Sequence, residues 1–412
     1  MSAGRTIDRG ALIPVARPTI GEAELGAVER PLRSGWLTQG PEVAAFEREF
    51  AEFVGAPYAC AVSNCTTALH LALRVLDVKP GDEVVTVSHS FIATANAVRY
   101  CGAVPVFADV QPDTYNIDPE RIAPLVTRQT RALLVVHQLG MPCDMEAILL
   151  VAQAAGIPVV EDAACAAGSE LRVADEWHRI GRPHGDVACF SFHPRKVLTT
   201  GDGGMLTTRS AEWDRRFRLW RQHSMTVPDS ARHLSREVVI EQYSELGFNY
   251  RLTDLQAAIG REQLKRLPDI VQRRRALADR YRALLADIPG ITLPHEPDWA
   301  RSNWQSYCII LPPRCDQRLV MQSMLDAGIA TRRGVMSAHR EPAYAAEPWR
   351  CAGGAGRCTC LPGSCDALGC SEETTDRGLI LPLYVGMTDA DQARVAGALA
   401  DAVATSRSSH AA

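Results

Sequence analysis

Residues 131–162 read RALLVVHQLGMPCDMEAILLVAQAAGIPVVED. Two short apolar runs, Arg131–His137 and Ile157–Asp162, flank Met145–Ala155, which has a helical pattern. Strand, helix and strand within about thirty residues is the size of one parallel crossover unit. The same alternation continues on both sides. Glu83–Val87, Pro105–Val110, Asp186–Phe192 and Gly204–Thr208 read as buried strands. Thr66–Leu76, Ala93–Cys101 and Glu120–Thr127 read as helices. Near-continuous apolar strands separated by helices predict an α/β fold with a mostly parallel sheet covered on both faces. Such a sheet binds ligands at the carboxyl ends of its strands.

Beyond residue 250 the texture changes. Leu255–Ile288 reads as an Arg-rich helix with a kink or break at Pro268. A strand (Ser306–Leu311), a helix (Gln317–Ala327), a Gly/Cys-rich segment and a closing helix (Asp389–Val403) follow. The reading is a large domain over 14–255 and a smaller C-terminal α/β domain over 256–405, with SRSSHAA as a frayed tail.

Lys plus Arg is 44 and Asp plus Glu is 48, a net charge of −4, which gives no reason to expect nucleic acid or an anionic membrane as partner. The first ten residues lack the apolar core of a secretory signal. The longest apolar stretch, Ala147–Val160, is too short to span a bilayer. Thirteen cysteines, several inside apolar runs, predict free thiols in a cytoplasmic protein rather than a disulfide framework.

Four local features point to one cofactor. Ser191-Phe-His-Pro-Arg-Lys196 ends a strand and puts a lysine beside the Gly-rich turn Thr199–Gly204. A lysine there can form a Schiff base. Glu161-Asp162 ends another buried strand, where a carboxylate suits a pyridinium nitrogen. Ser63-Asn-Cys-Thr66-Thr67 leads into an Ala/Leu-rich helix whose first N–H groups suit a phosphate. Phe91 follows a strand and can stack on a flat heterocycle. Each alone has a bland reading: a solvated lysine, a salt-bridging Asp, an ordinary N-cap, a core ring. In the chain order helix start, aromatic, carboxylate and lysine, all on the carboxyl side of strands in one sheet, they argue for pyridoxal 5′-phosphate (PLP).

The sequence resembles the DegT/DnrJ/EryC1/StrS family of sugar aminotransferases, within the fold-type I PLP enzymes. The resemblance runs from about Pro14 to the last helix. It includes Ser34–Gly40, Ala93–Ala97, Gly102–Phe107, Val136–Gly140, Gly247–Asp254 and Leu381–Thr388, besides the four features above. It implies that Lys196 is the Schiff-base lysine and that Asp162 faces the ring nitrogen. It also implies that Thr66, Thr67 and Ser191 hold the phosphate and Phe91 stacks on the ring. Asn249 matches an asparagine that reaches the phosphate across a dimer interface, so the resemblance implies a homodimer with shared active sites. The implied reaction moves an amino group from glutamate or glutamine to a keto-sugar, foremost one carried on a nucleoside diphosphate. A keto-cyclitol of the scyllo-inosose type is the alternative acceptor. Sugar dehydratases of the family replace the lysine by histidine, and Lys196 counts against that reading.

Three departures stand out. Cys165 occupies a place where the family usually has His or Gln near the cofactor's 3-hydroxyl. Cys65 replaces a usual Gly in the phosphate loop. Cys351, Cys358, Cys360, Cys365 and Cys370 crowd twenty residues. Four such thiolates could hold zinc or an iron–sulfur cluster, but their spacing is not a paired C-x-x-C pattern, so the expectation is a flexible surface loop, dispensable for cofactor binding, with a structural metal as the alternative.

Overall fold

The structure, a computed structural model, describes residues 12–227, 235–352 and 363–408. In chain order the elements begin with α1 (Glu22–Ser34), α2 (Pro41–Val54), β1 (Tyr58–Val62), α3 (Cys65–Val75) and β2 (Glu83–Val87). Next come α4 (Ala93–Tyr100), β3 (Val104–Ala108), β4 (Thr130–Val136), α5 (Met145–Ala155) and β5 (Val159–Asp162). They continue with β6 (Glu170–Val173), β7 (Glu176–Arg179), β8 (Val187–Ser191), β9 (Gly204–Thr208) and α6 (Ala211–Trp220). The remainder is α7 (Asp254–Leu285), β10 (Ala300–Arg301), β11 (Tyr307–Ile310), α8 (Gln317–Asp326), β12 (Arg332–Arg333), β13 (Arg350–Cys351), α9 (Gly369–Arg377), β14 (Gly378–Leu381) and α10 (Asp389–Ser408).

The central sheet has the order β1-β9-β8-β5-β4-β2-β3-β13. Only β9 runs against its neighbours, pairing antiparallel with β1 and β8. The β4–α5–β5 unit is the crossover expected at 131–162, with Leu133 opposite Val159 and Val136 opposite Asp162. All five residues of β2 and of β9 are buried, as both covered faces require. One core on this sheet gathers Phe46, Phe50, Phe190 and Phe192. The opposite face packs α3 and α6 through Leu69, Leu73, Phe217 and Trp220.

A second sheet, β11-β14-β12, is antiparallel and belongs to a separate core with Tyr281, Val320, Met324 and Leu399. Helix α7 joins the two cores. Its first half buries Leu264, Leu267 and Val271 on the large core, and its second half buries Leu277, Tyr281 and Leu285 on the small one. Pro268 does not break it. An interior proline costs about 3 kcal/mol, and burying each flanking leucine or isoleucine returns roughly 1.5–3 kcal/mol. The chain near Ile13 also reaches the small core: Ile13 N donates to Gly328 O (2.9 Å) and Leu383 N to Val15 O (3.1 Å).

Some expectations change. Glu120–Thr127 is two short 3-10 turns, Pro119–Arg121 and Ala123–Leu125, because Pro124 lacks the N–H an α-helix there would need. The closing helix runs past Val403 to Ser408, so the expected tail begins inside it. The Gly/Cys-rich segment is not wholly a surface loop. Cys351 lies on β13, at the edge of the central sheet, and is buried with Cys365 against Phe107, Tyr344 and Leu368. The two sulfurs are 3.5 Å apart. Cys358 and Cys360 lie outside the described residues.

Candidate active site

The carboxyl ends of β5 and β8, the start of α3 and β12 of the second sheet meet around a cavity of about 650 Å³. Thr66, Thr67, Phe91, Asp162, Cys165, Ser191 and Lys196 all line it. Seven of the eight residues expected from the sequence are therefore brought together. Asn249 is not at this cavity; it is exposed, and its backbone bridges Gln222.

Lys196 is set by a tight turn after β8. Its backbone N–H donates to His193 O at 2.8 Å, and Thr199 Oγ1 donates to Phe192 O at 2.9 Å. The amine reaches into the cavity, where Nζ is 3.0 Å from Cys165 Sγ. Burial pulls its pKa down. The neighbouring Cys165 and Cys65 sulfurs and the Asp162 carboxylate outweigh that, so it stands above the ordinary lysine value.

Asp162 is buried at the end of β5, and burial raises its pKa although two donors hold the carboxylate. Thr94 Oγ1 donates to Oδ2 at 2.8 Å, and Ala164 N to Oδ1 at 3.1 Å. Ser90 and Thr94 hydroxyls are in turn 2.8 Å apart. Sequence reasoning missed Thr94 as a site residue. Its signal is a hydroxyl in the first turn of a helix that follows Phe91.

The start of α3 is an anion site in waiting. Asn64 Oδ1 caps Thr67 N at 3.0 Å. The amides of Cys65 and Thr66 have no protein acceptor among the described residues. Unpaired first-turn N–H groups carry partial positive charge. Gly204 lets this start sit against the sheet: a Cβ there would lie 2.5 Å from Asn64 C and O. Cys65 needs no glycine conformation, since it begins the helix without positive φ. Its thiol turns to Cys189 O at 3.6 Å.

Phe91 is 62% exposed while the core phenylalanines are fully buried, so its ring has a free face toward the cavity. Further lining residues were not singled out as site residues: Gln138, His193, Arg195 and Gln305. Arg332 and Arg333 bring two more cations from β12.

The family model for the DegT/DnrJ/EryC1/StrS aminotransferase family matches residues 18–400. The chain belongs to this family. It is 42% identical over 301 residues to the spore coat polysaccharide biosynthesis protein SpsC of Bacillus subtilis, covering 73% of this chain and 76% of that protein. Aminotransferase TlmJ from Streptoalloteichus hindustanus superposes with a TM-score of 0.83 at 34% identity, covering 96% and 99% of the two chains. The putative sugar aminotransferase Spr1654 from Streptococcus pneumoniae, in its PLP form, gives 0.84 at 26% identity over 96% and 99%. The protein is thus a PLP-dependent aminotransferase, and the family implies PLP as its cofactor.

The residues present fit that cofactor. A buried carboxylate with no basic side chain in ion-pair contact among the described residues suits a cationic ring nitrogen. Two open amides and the Thr66 hydroxyl suit a phosphate, while the Thr67 hydroxyl donates to Asn64 O at 2.7 Å and firms the turn that presents them. No described helix is long and apolar enough to cross a membrane.

Proposed function

We propose that the enzyme moves an amino group from glutamate or glutamine to a keto-sugar carried on a nucleoside diphosphate. The carrying observation for the chemistry is a lysine amine and a buried Asp162 lining one cavity with a helix start. PLP, when bound, supplies the electron sink that makes the donor's α-hydrogen acidic and stores the amino group between half-reactions. With PLP bound, Lys196 Nζ would be the base that takes the proton from the donor's α-carbon and the acid that returns it. Asp162, its carboxylate oriented by Thr94, would keep the ring nitrogen protonated. Phe91 would lie against the ring, and Thr66, Thr67, Ser191 and the α3 amides would hold the phosphate.

The acceptor reading rests on charge. Arg195, Arg332, Arg333 and Lys196 line the cavity against Asp162 and Asp202. Arg333 pairs with Glu341 at 2.8 Å. Arg195 and Arg332 have no carboxylate partner among the described residues. Two unpaired guanidinium groups at a cavity mouth suit a diphosphate; a neutral cyclitol leaves them without an anion. Purified enzyme with glutamate or glutamine and a nucleoside-diphosphate-keto-sugar should form the amino-sugar, and Arg332→Ala should raise KM for that acceptor about tenfold or more. Turnover of scyllo-inosose but not of the nucleotide sugar would sink the acceptor assignment.

Shared sites in a homodimer complete the reading. Asn249 stands outside its own cavity, beside a stretch whose Val238, Ile240, Tyr243 and Leu246 are 93, 83, 60 and 89% exposed. An apolar run this exposed suits contact with a second copy, which would bring Asn249 to the partner's phosphate.

A further inference from the structure

Cys165 and Lys196 stand in a relation that amino transfer does not use. Nζ donates to Sγ at 3.0 Å, and both backbones are fixed. The carbonyl of Cys165 accepts from Asn303 Nδ2 at 2.8 Å, and the same amide reaches Ala167 O at 2.9 Å. Asn303 is wholly buried. Lys196 is held by the turn after β8. Two reactive side chains are therefore presented head-on. Cys60, Cys65, Cys189 and Cys308 differ. They are buried, and burial pushes their pKa values up, which makes them poor nucleophiles. Cys165 is half-buried and lines the cavity, within reach of small solutes.

We propose that Cys165 and Lys196 form a reversible oxidative lock, in which a peroxide joins Sγ to Nζ through a direct sulfur–nitrogen bond. The proposal rests on reading Lys196 as the cofactor-binding amine for its consequence only. The chemistry needs just the contact. The Cys165 thiol is oxidised to a sulfenic acid as one peroxide molecule is reduced, one oxygen going to sulfur and the other leaving as water. The Lys196 ammonium releases one proton to solvent. Its lone pair attacks the sulfur, the S–O bond breaks, and hydroxide leaves with a second amine proton as water. Two thiols reverse the change. They become a disulfide and return the amine and the Cys165 thiol. While the bond lasts, Nζ is unavailable to PLP. The lock also caps the sulfur before further oxidation to the irreversible acids.

The test uses full-length protein freed of cofactor, treated with hydrogen peroxide and mapped by mass spectrometry. The expected product is the Cys165 peptide joined to the Lys196 peptide, two hydrogens lighter than their sum and separated by dithiothreitol. Cofactor colour on adding PLP should be lost on oxidation and return on reduction. Cys165→Ser should give no joined peptide. Lys196→Ala should leave a sulfenic acid that dimedone traps. Cys165 recovered as sulfinic acid beside an unmodified Lys196, or a joined pair carrying an extra oxygen, overturns the direct bond. Protein loaded with PLP should resist joining. If it joins equally well, the lock stands and the assignment of Lys196 to the cofactor fails.

Discussion

Lys196 and Asp162 carry the proposed chemistry at the scale of single residues, and their environments allow separate tests. Lys196→Ala should retain PLP through the phosphate and ring contacts but lose the protein-linked cofactor and nearly all turnover. Borohydride reduction of the wild type followed by peptide mapping checks which lysine carries it. Attachment to another lysine would refute the assignment. Asp162 carries a raised pKa from burial, so its ionised form is worse off in the folded chain than in the unfolded one. The cost is fully present at neutral pH and disappears as pH falls through the folded pKa toward the unfolded value. Asp162→Asn should therefore stabilise the cofactor-free protein by on the order of 1 kcal/mol while abolishing turnover. The gain in melting temperature should shrink on acidification. A destabilised variant at pH 7 would contradict it.

Among the elements, α3 carries the site directly and α2 steadies the sheet beside it. Asn64 caps α3, and its loss to Ala should cost about 1 kcal/mol and weaken PLP affinity, read by equilibrium titration. Gly204→Ala should do worse, because its Cβ would collide with the backbone of that cap. Helix α2 anchors β1 and α6 through Glu47. Its carboxylate accepts from Ala61 N (2.9 Å) and Arg218 Nη1 (2.5 Å) and also pairs with Arg221. Burial opposes ionisation there, but the two arginines and the amide outweigh it and hold the pKa below the usual range. A lowered pKa gives stability that is present above the unfolded value and lost on acidification. Glu47→Gln should cost about 3–5 kcal/mol, measured by urea unfolding, with a reduced loss of stability between neutral and acid pH. The elements that were legible in the sequence share one property. Six of the eight strands of the central sheet, β2, β3, β4, β5, β8 and β9, are short apolar runs buried on both faces, and pattern alone reveals them. Strand β1, Tyr-Ala-Cys-Ala-Val, escaped because its small residues carry only one β-branched side chain. The hairpin β6–β7 escaped because Glu170-Leu-Arg-Val and Glu176-Trp-His-Arg lie half-exposed and carry no such run. Strands β12 and β13, two residues each, exist only through their sheet partners.

On the scale of the molecule, the large-domain part of the cavity was readable because its residues stand at strand ends and helix starts, where local signals are strong. Thr94, Gln138 and Gln305 were not, since their roles come from tertiary approach. The proposed dimer gives the remaining test. Lys196→Ala and an inactive Asn249→Ala protein, mixed under conditions of verified subunit exchange, should recover part of the activity in hybrids. No recovery would place Asn249 outside the partner's site.

The pairing of Ile13 with Ile329, and of Val15 with Leu383, has a consequence in time. A ribosome releases the chain in order, so Ile13 and Val15 emerge more than three hundred residues before their partners. At about 5–20 residues per second, they wait tens of seconds for the strand edge they join. The central sheet can assemble meanwhile, because its strands from β1 to β9 lie close in sequence. The second core cannot seal until Ile13 and Val15 meet Gly328 and Leu383. A nascent chain stalled before Leu383 should keep residues 12–20 open to protease while the central sheet resists digestion.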